Sequence, residues 1–330
     1  MRQNGLRWGL VASGVALVLA VVGAAWYVSG RDGAPPPEAA LPAFDGARAL
    51  RLAEQQVAFG PRIPGTPAHD STRAWIVSLL RESGARVAEL PVVFPLPDGS
   101  GDTLRGTNVF ASFDTTAARR VMLAAHWDTR AFADEDPDPA KRQSPVPGAN
   151  DGASGVAVLL EMARLFSETA PPVGVDLAFW DLEDAGDPDY ATDPTATPYA
   201  IGSAAFVREN PAYRPAYGVL LDMVGDRTLR LPREGYSQQY APEATARVWA
   251  AATRAGASAF VDETGPPVVD DHVPFLQAGV PFVDVIQTPF PDTWHTTADD
   301  LDRLSAESLG QVGRTLVELI YRIEAGRPSR

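Results

Sequence analysis

A chain of 330 residues with ordinary aliphatic and aromatic content has room for one large domain or two small ones, with a sizeable core. Its formal net charge of −14 argues against nucleic acid or an anionic lipid surface as partner, and suits a site for cations or amines. The absence of cysteine excludes disulfides, thiolate nucleophiles, Cys-ligated zinc and cysteine-borne lipid together, so any metal must be held by His and carboxylate.

Arg2 and Arg7 precede the apolar run "WGLVASGVALVLAVVGAAWYV", Trp8 to Val28, which is long for a signal-peptide core and right for spanning about 30 Å of hydrocarbon. Trp8, Trp26 and Tyr27 lie at its ends, as interfacial aromatics do. Residues 1–30 are therefore expected to be a membrane anchor, or alternatively a cleaved signal. The rest of the chain is expected outside the cytoplasm in the first case, and secreted or periplasmic in the second. Membrane contact is expected through this segment alone. A Pro-rich tether follows over 31–43, and a single domain over 44–330.

From there helical and strand patterns alternate. "ARALRLAEQQVAF" and "AHDSTRAWIVSLLRESG" have helical spacing, the second ending at Gly84. Three strand-like runs follow, "RVAELPVVF", "TNVFASF" and "RRVMLAAHW". Next come the helix "SGVAVLLEMARLFSE", the strand "VDLAFWD", the helix "IGSAAFVREN" and the strand "YGVLLDMVG". The helix "PEATARVWAAATRAG", the strand "VPFVDVI" and the helix "SAESLGQVGRTLVELIYRI" complete the order. Runs such as "VMLAA" and "VLL" are apolar without strict alternation, as in strands covered on both faces. The pattern predicts an α/β fold with a mixed, mostly parallel central sheet flanked by helices.

In open α/β sheets, sites form outside the carboxyl ends of the strands. His126 follows "VMLAA", Asp151 lies in the turn "GANDGASG" that opens a helix, Asp184 follows "LAFWDLE", Asp222 sits in "LLDMVG", and His295 follows the last strand. Each alone reads as a cap, turn or loop residue. Together they are the imidazole and carboxylate ligands that zinc takes when thiolate is absent, and they suit one ion or a pair about 3.5–4 Å apart. Glu183, beside Asp184, is placed to act as base while its neighbour binds metal, and Asp128 to orient the His126 ring. His272 is expected to cap or pack a short helix, and His69 to be structural. The long acidic, Pro-rich loops Arg130–Pro147 and Gly186–Pro198 are candidate pocket walls. "PGANDGASG" fits no dinucleotide or P-loop fingerprint, and its glycines are expected to let Asp151 approach a metal over a tight turn.

The ordered motifs "AAHWDT", "PGANDGASGVAVLLEMAR", "FWDLED", "LLDMVG", "DDHVPFLQAGVP" and "FPDTWHTTADDLD" resemble the zinc aminopeptidase family, metallopeptidase family twenty-eight, over roughly Phe44 to the C-terminus. Within that family they are most similar to the glutaminyl cyclases. The resemblance implies Asp151, Asp184 and His295 as ligands of one zinc, with His126 and Asp222 completing a second site in the aminopeptidases. It implies Glu183 as general acid/base, Asp270 as an acid sharing a hydrogen bond with Asp222, and Trp294 as a pocket wall. One departure is Tyr199 in "PYAIGS", where bacterial cyclases place tryptophan; tyrosine is expected to line the pocket instead.

Two reactions are implied. A cyclase, with one Zn2+, converts the N-terminal glutamine of peptides or proteins to pyroglutamate. An aminopeptidase, with one or two zincs, hydrolyses N-terminal residues. The remaining alternative is an inactive binding ectodomain, which the survival of every candidate residue argues against.

Overall fold

The computed structural model describes residues 40–326. The expected anchor and most of the expected tether lie outside the described residues; among those described, no helix is long and apolar enough to cross a membrane. Helix α1 (Gly46–Ala58) starts where the Asp45 carboxylate accepts the Arg48 amide at 2.9 Å, and it buries Ala49, Leu52, Ala53 and Gln56, an i, i+3, i+4, i+7 stripe. Helix α2 (Pro67–Glu82) is capped by Thr66, carries Pro67 in its first turn and is followed by Gly84 at φ +80°.

The strands are β1 (Arg86–Pro95), β2 (Thr103–Phe113), β3 (Arg120–His126), β4 (Gly174–Trp180), β5 (Tyr217–Asp222), β6 (Leu231–Arg233), β7 (Phe260–Thr264) and β8 (Phe282–Ile286). Six of them form one sheet in the order β1-β2-β4-β3-β5-β8. The β1–β2 and β2–β4 pairs are antiparallel, and β4, β3, β5 and β8 run parallel to one another. This is the mostly parallel mixed sheet expected from the sequence. The apolar run 107–113 predicts only the second half of β2; its polar start is carried by pairing, Thr103 lying opposite Pro95. The short ribbon of β6 and β7 has no apolar signature, its second strand being largely exposed.

Helices α3 (Ala153–Glu168), α4 (Ile201–Glu209), α5 (Gly235–Tyr240), α6 (Pro242–Ala255), α7 (Val273–Gln277) and α8 (Ala306–Glu318) complete the fold, the last running on into a π-helical turn over Leu319–Glu324. Strands β3, β4, β5 and β8 are buried along almost their whole length. Their residues still alternate: Leu123, Leu177 and Val219 pack with α1, α3 and α8, whereas Met122, Ala178, Leu220 and Phe282 pack against Phe206 of α4 and Phe275 of α7.

This topology creates a crevice. The chain leaves β3 through α3 to β4, on one side, then crosses β3 to reach β5, whose own continuation leads to β8 on the other. The carboxyl ends of β3 and β5 therefore flank a switch point, where open α/β sheets form their sites.

Candidate metal centre and catalytic pocket

His126 ends β3 and Asp222 ends β5, and they meet across that switch point, with Nε2 3.1 Å from Oδ1. Asp151 enters from the turn that opens α3, its Oδ1 3.0 Å from the same Nε2. From the loop after β8, His295 Nε2 lies 3.2 Å from Asp184 Oδ1 and 3.8 Å from Asp151 Oδ2. Two groups result, Asp151–Asp184–His295 and His126–Asp151–Asp222, each offering donor atoms within 4.8 Å of one another, and Asp151 belongs to both. All five residues are buried. Asp184 Oδ1 is buried without a hydrogen-bond partner, and the atoms that converge are carboxylate oxygens and imidazole Nε2, so the site fits a divalent cation such as zinc.

Local backbone geometry forces these side chains together. Four of the five non-glycine residues with positive φ among those described border this region: Leu182 (φ 59°), Ala200 (57°), Met223 (48°) and His295 (53°). Such conformations cost about 1–3 kcal/mol and cluster at functional sites. Gly152, at φ +91°, is a second device. A Cβ there would stand 2.9 Å from the Asp128 carbonyl and 3.2 Å from the His126 ring, so only glycine lets the Asp151 turn lie over His126.

Glu183 lines the same cavity, which is about 560 Å³ in volume, together with Tyr199, Asp270, Phe290 and Trp294. Trp294 stacks on the His295 ring with centroids 3.7 Å apart and planes inclined by 22°. The loops Arg130–Pro147 and Gly186–Pro198 contribute Asp134, Glu135, Pro188 and Tyr190 to the lining. Asp128 stands 3.6 Å from His126 Nδ1, and its two oxygens instead accept the amides of Glu183 and Asp184 at 3.2 and 3.1 Å. It orients two consecutive acids more directly than it orients the ring.

Burial dominates the electrostatics. It pushes the Glu183 carboxyl well above its ordinary range, with His126 opposing and Asp270 and Asp184 adding. Burial likewise raises Asp222 to about 6, and it raises Asp270 to about 7 with the neighbouring Asp222 charge adding. Burial also acts on Asp151, but hydrogen bonding to His126 and the charges of His126, His295 and Arg130 hold its carboxyl below the usual value. This surplus of buried carboxylate is what a bound cation would compensate.

Several supporting residues carry no sequence signal of their own. Asp299 accepts the amides of Asn150 and Asp151 at 2.9 and 3.0 Å, fixing the turn that presents Asp151. Buried Arg62 donates to the carbonyls of Pro147 and Gly148 at 2.7 and 2.5 Å. Arg130 grips Asp134 and the Gly186 carbonyl, and its guanidinium lies 5.6 Å from the centre of the Tyr199 ring. His69 is structural, bonded to Asp181 at 2.9 Å and stacked on Trp127. His272 precedes α7 but makes no side-chain cap bond; its ring is buried, 3.2 Å from Glu234 Oε2 and 3.7 Å from Asp284 Oδ2.

The family model described as peptidase family M28 matches residues 108–320. A glutaminyl-peptide cyclotransferase-like protein of Bos taurus is 27% identical over 284 residues, covering 77% of this chain and 70% of that protein. The crystal structure of Bacteroides thetaiotaomicron glutaminyl cyclase superposes with a TM-score of 0.80 at 37% identity, covering 86% of this chain and 99% of that one. That of a leucine aminopeptidase precursor from the same organism gives 0.81, also at 37% identity, with 86% and 99% covered.

Proposed function

The chain belongs to peptidase family M28, and on that premise we propose that it is a zinc-dependent glutaminyl-peptide cyclotransferase, converting the N-terminal glutamine of peptides to pyroglutamate with release of ammonia. The observation that carries this reading is the juxtaposition of a compact Asp151–Asp184–His295 group, the adjacent Glu183, and an aromatic wall formed by Trp294, Tyr199 and Phe290. Likeness to proteins named glutaminyl cyclases supports it.

Asp151, Asp184 and His295 would hold a single zinc, whose role is to polarise the side-chain carbonyl of the substrate glutamine. The substrate α-amine then attacks that carbon, the bond to the amide nitrogen breaks, and the nitrogen leaves as ammonia. Glu183 takes the proton from the attacking amine and returns it to the departing nitrogen; a carboxyl raised by burial suits both halves of that transfer. The aromatic wall limits access of water, which would divert the reaction to hydrolysis. Asp222 and Asp270 line the same cavity and are assigned to proton handling beside Glu183. Placement of the domain outside the cytoplasm belongs to the same proposal and rests on the apolar run Trp8–Val28.

One observation favours a second reading. The His126–Asp151–Asp222 group shares Asp151 with the first and offers a second metal position, as a two-zinc aminopeptidase requires. Incubation of the purified protein with Gln-peptides and with aminoacyl anilides separates the two. Ammonia without aniline supports the cyclase, and aniline without ammonia overturns it.

A further inference from the structure

A second concavity, about 580 Å³ in volume, adjoins the catalytic pocket and is lined by three tyrosines, Tyr190, Tyr236 and Tyr240, by Val269, Val273 and Leu276, and by the neutral amide Gln277. Tyr190 and Val269 line both spaces, so the two are neighbours that share a wall. Their chemistry differs. The catalytic pocket is rich in acids, including Asp134, Glu135 and Glu183, whereas no charged residue lines the second space. Three tyrosines there present flat apolar faces with hydroxyls at their edges, a combination enriched where proteins grip peptides. Tyr240 is 60% exposed and Val269 43%, two of only five large apolar side chains so exposed among the described residues.

The walls are braced in advance. Glu234 accepts the Tyr236 and Ser237 amides at 2.8 and 2.6 Å, which caps α5, and it accepts the Val268 amide at 2.9 Å. The Gly235 amide donates to the Pro266 carbonyl at 3.0 Å. A single buried carboxylate thus holds together the tyrosine-bearing helix and the segment Pro266–Val269, which separates the two spaces.

A peptide whose first residue occupies the catalytic pocket must send the rest of its chain outwards, and this apolar groove shares that pocket's rim. We propose that the groove binds the two residues following the N-terminal glutamine and selects for an aromatic side chain there. The inference rests on the cyclase reading of the catalytic pocket, which supplies the N-terminal anchor.

Ammonia release from the amides of Gln-Ala-Ala, Gln-Phe-Ala and Gln-Ala-Phe tests it, in the parent enzyme and in Tyr240→Ala and Tyr240→Phe. At least one aromatic peptide is expected to exceed Gln-Ala-Ala about tenfold in kcat/KM, mainly through KM. That ratio should collapse towards one in Tyr240→Ala and persist in Tyr240→Phe. Equal processing of all three peptides by the parent, or an aromatic preference untouched by Tyr240→Ala, overturns the groove. Failure of the cyclase reading looks different: no Gln-peptide yields ammonia. The groove is then decided by calorimetric Kd values for the matching Asn-peptides, which cannot cyclise this way because the amine would have to close a four-membered ring. Tighter binding of an aromatic Asn-peptide than of Asn-Ala-Ala sustains the groove, and equal Kd values overturn it.

Discussion

Asp128 accepts the backbone N–H of Glu183 at 3.2 Å through one oxygen, and its other oxygen holds the next amide, that of Asp184, at 3.1 Å. A carboxylate just beyond the end of β3 thereby fixes two consecutive acids beyond the end of β4, the proposed base and a proposed ligand. Asp128→Asn replaces one acceptor by a donor, so one buried N–H faces another. A group left unsatisfied in this way costs about 1–3 kcal/mol. The expected outcome is a fall of about tenfold or more in kcat with zinc still bound, because the base is displaced and no ligand is removed. Steady-state kinetics with zinc analysis per chain checks this, and parental kcat in the variant would show that Asp128 does not position Glu183.

Glu183→Gln preserves shape and hydrogen-bonding capacity but removes proton acceptance. Zinc should remain bound and turnover should fall by at least ~10²-fold, with KM changed much less. Near-parental activity in the fully metallated variant would send the proton elsewhere.

Much of this site is legible in the sequence because its residues interrupt or end apolar runs: His126 closes "VMLAA", and Asp222 breaks "VLLDMV". A buried strand that ends in an ionisable residue is unusual enough to notice. Asp299 and Asp134 give no such signal. Each stands in an acidic, loop-like stretch where no apolar run singles it out, and only folding brings Asp299 beneath the Asp151 turn. Helix α5, "GYSQQY", and the strand "LPR" are too short and too polar for periodicity to reveal, yet α5 carries two tyrosines of the outer groove. Local pattern reports which residues are covered. It does not report which distant residues do the covering.

Glu234 provides a pH-dependent stability test away from the proposed ligands. Burial pushes its carboxyl up, but His272 at 3.2 Å and the Ser237 hydroxyl and amide outweigh that and hold it at about 2, against an ordinary value of 4.5. A depressed folded-state pKa stabilises above the unfolded value and loses that stabilisation as pH falls. The Glu234 contribution should therefore be complete above about pH 5 and vanish progressively between about pH 4.5 and 2, amounting at most to about 3 kcal/mol. Urea unfolding of the parent and of Glu234→Gln should show a stability gap at pH 6 that narrows as pH falls through this window. A gap independent of pH would mean that the carboxylate contributes by shape alone.

The choice between the two reactions turns on Asp222 and Asp270. Both are buried: burial, with the Asp151 and Asp184 charges adding, raises Asp222 to about 6, and burial, with the Asp222 charge adding, raises Asp270 to about 7. Asp270 Oδ2 is buried without a hydrogen-bond partner, and under the cyclase reading it takes up a proton shared with Asp222, since two buried acids resist ionising together. A shared proton leaves Asp222 a poor ligand, so the His126–Asp151–Asp222 group should stay without metal and zinc should number one per chain. Asp270→Asn should then abolish most cyclisation while the single zinc remains, because the acid pair is lost and the Asp151–Asp184–His295 group is intact. Under the aminopeptidase alternative, Asp222 is fully ionised on a second zinc, and Asp270→Asn has a mild effect on hydrolysis. Two zincs per chain, with aniline released from aminoacyl anilides and no ammonia from Gln-peptides, would decide for that alternative. One zinc with ammonia as the product, lost on Asp270→Asn, decides for the cyclase.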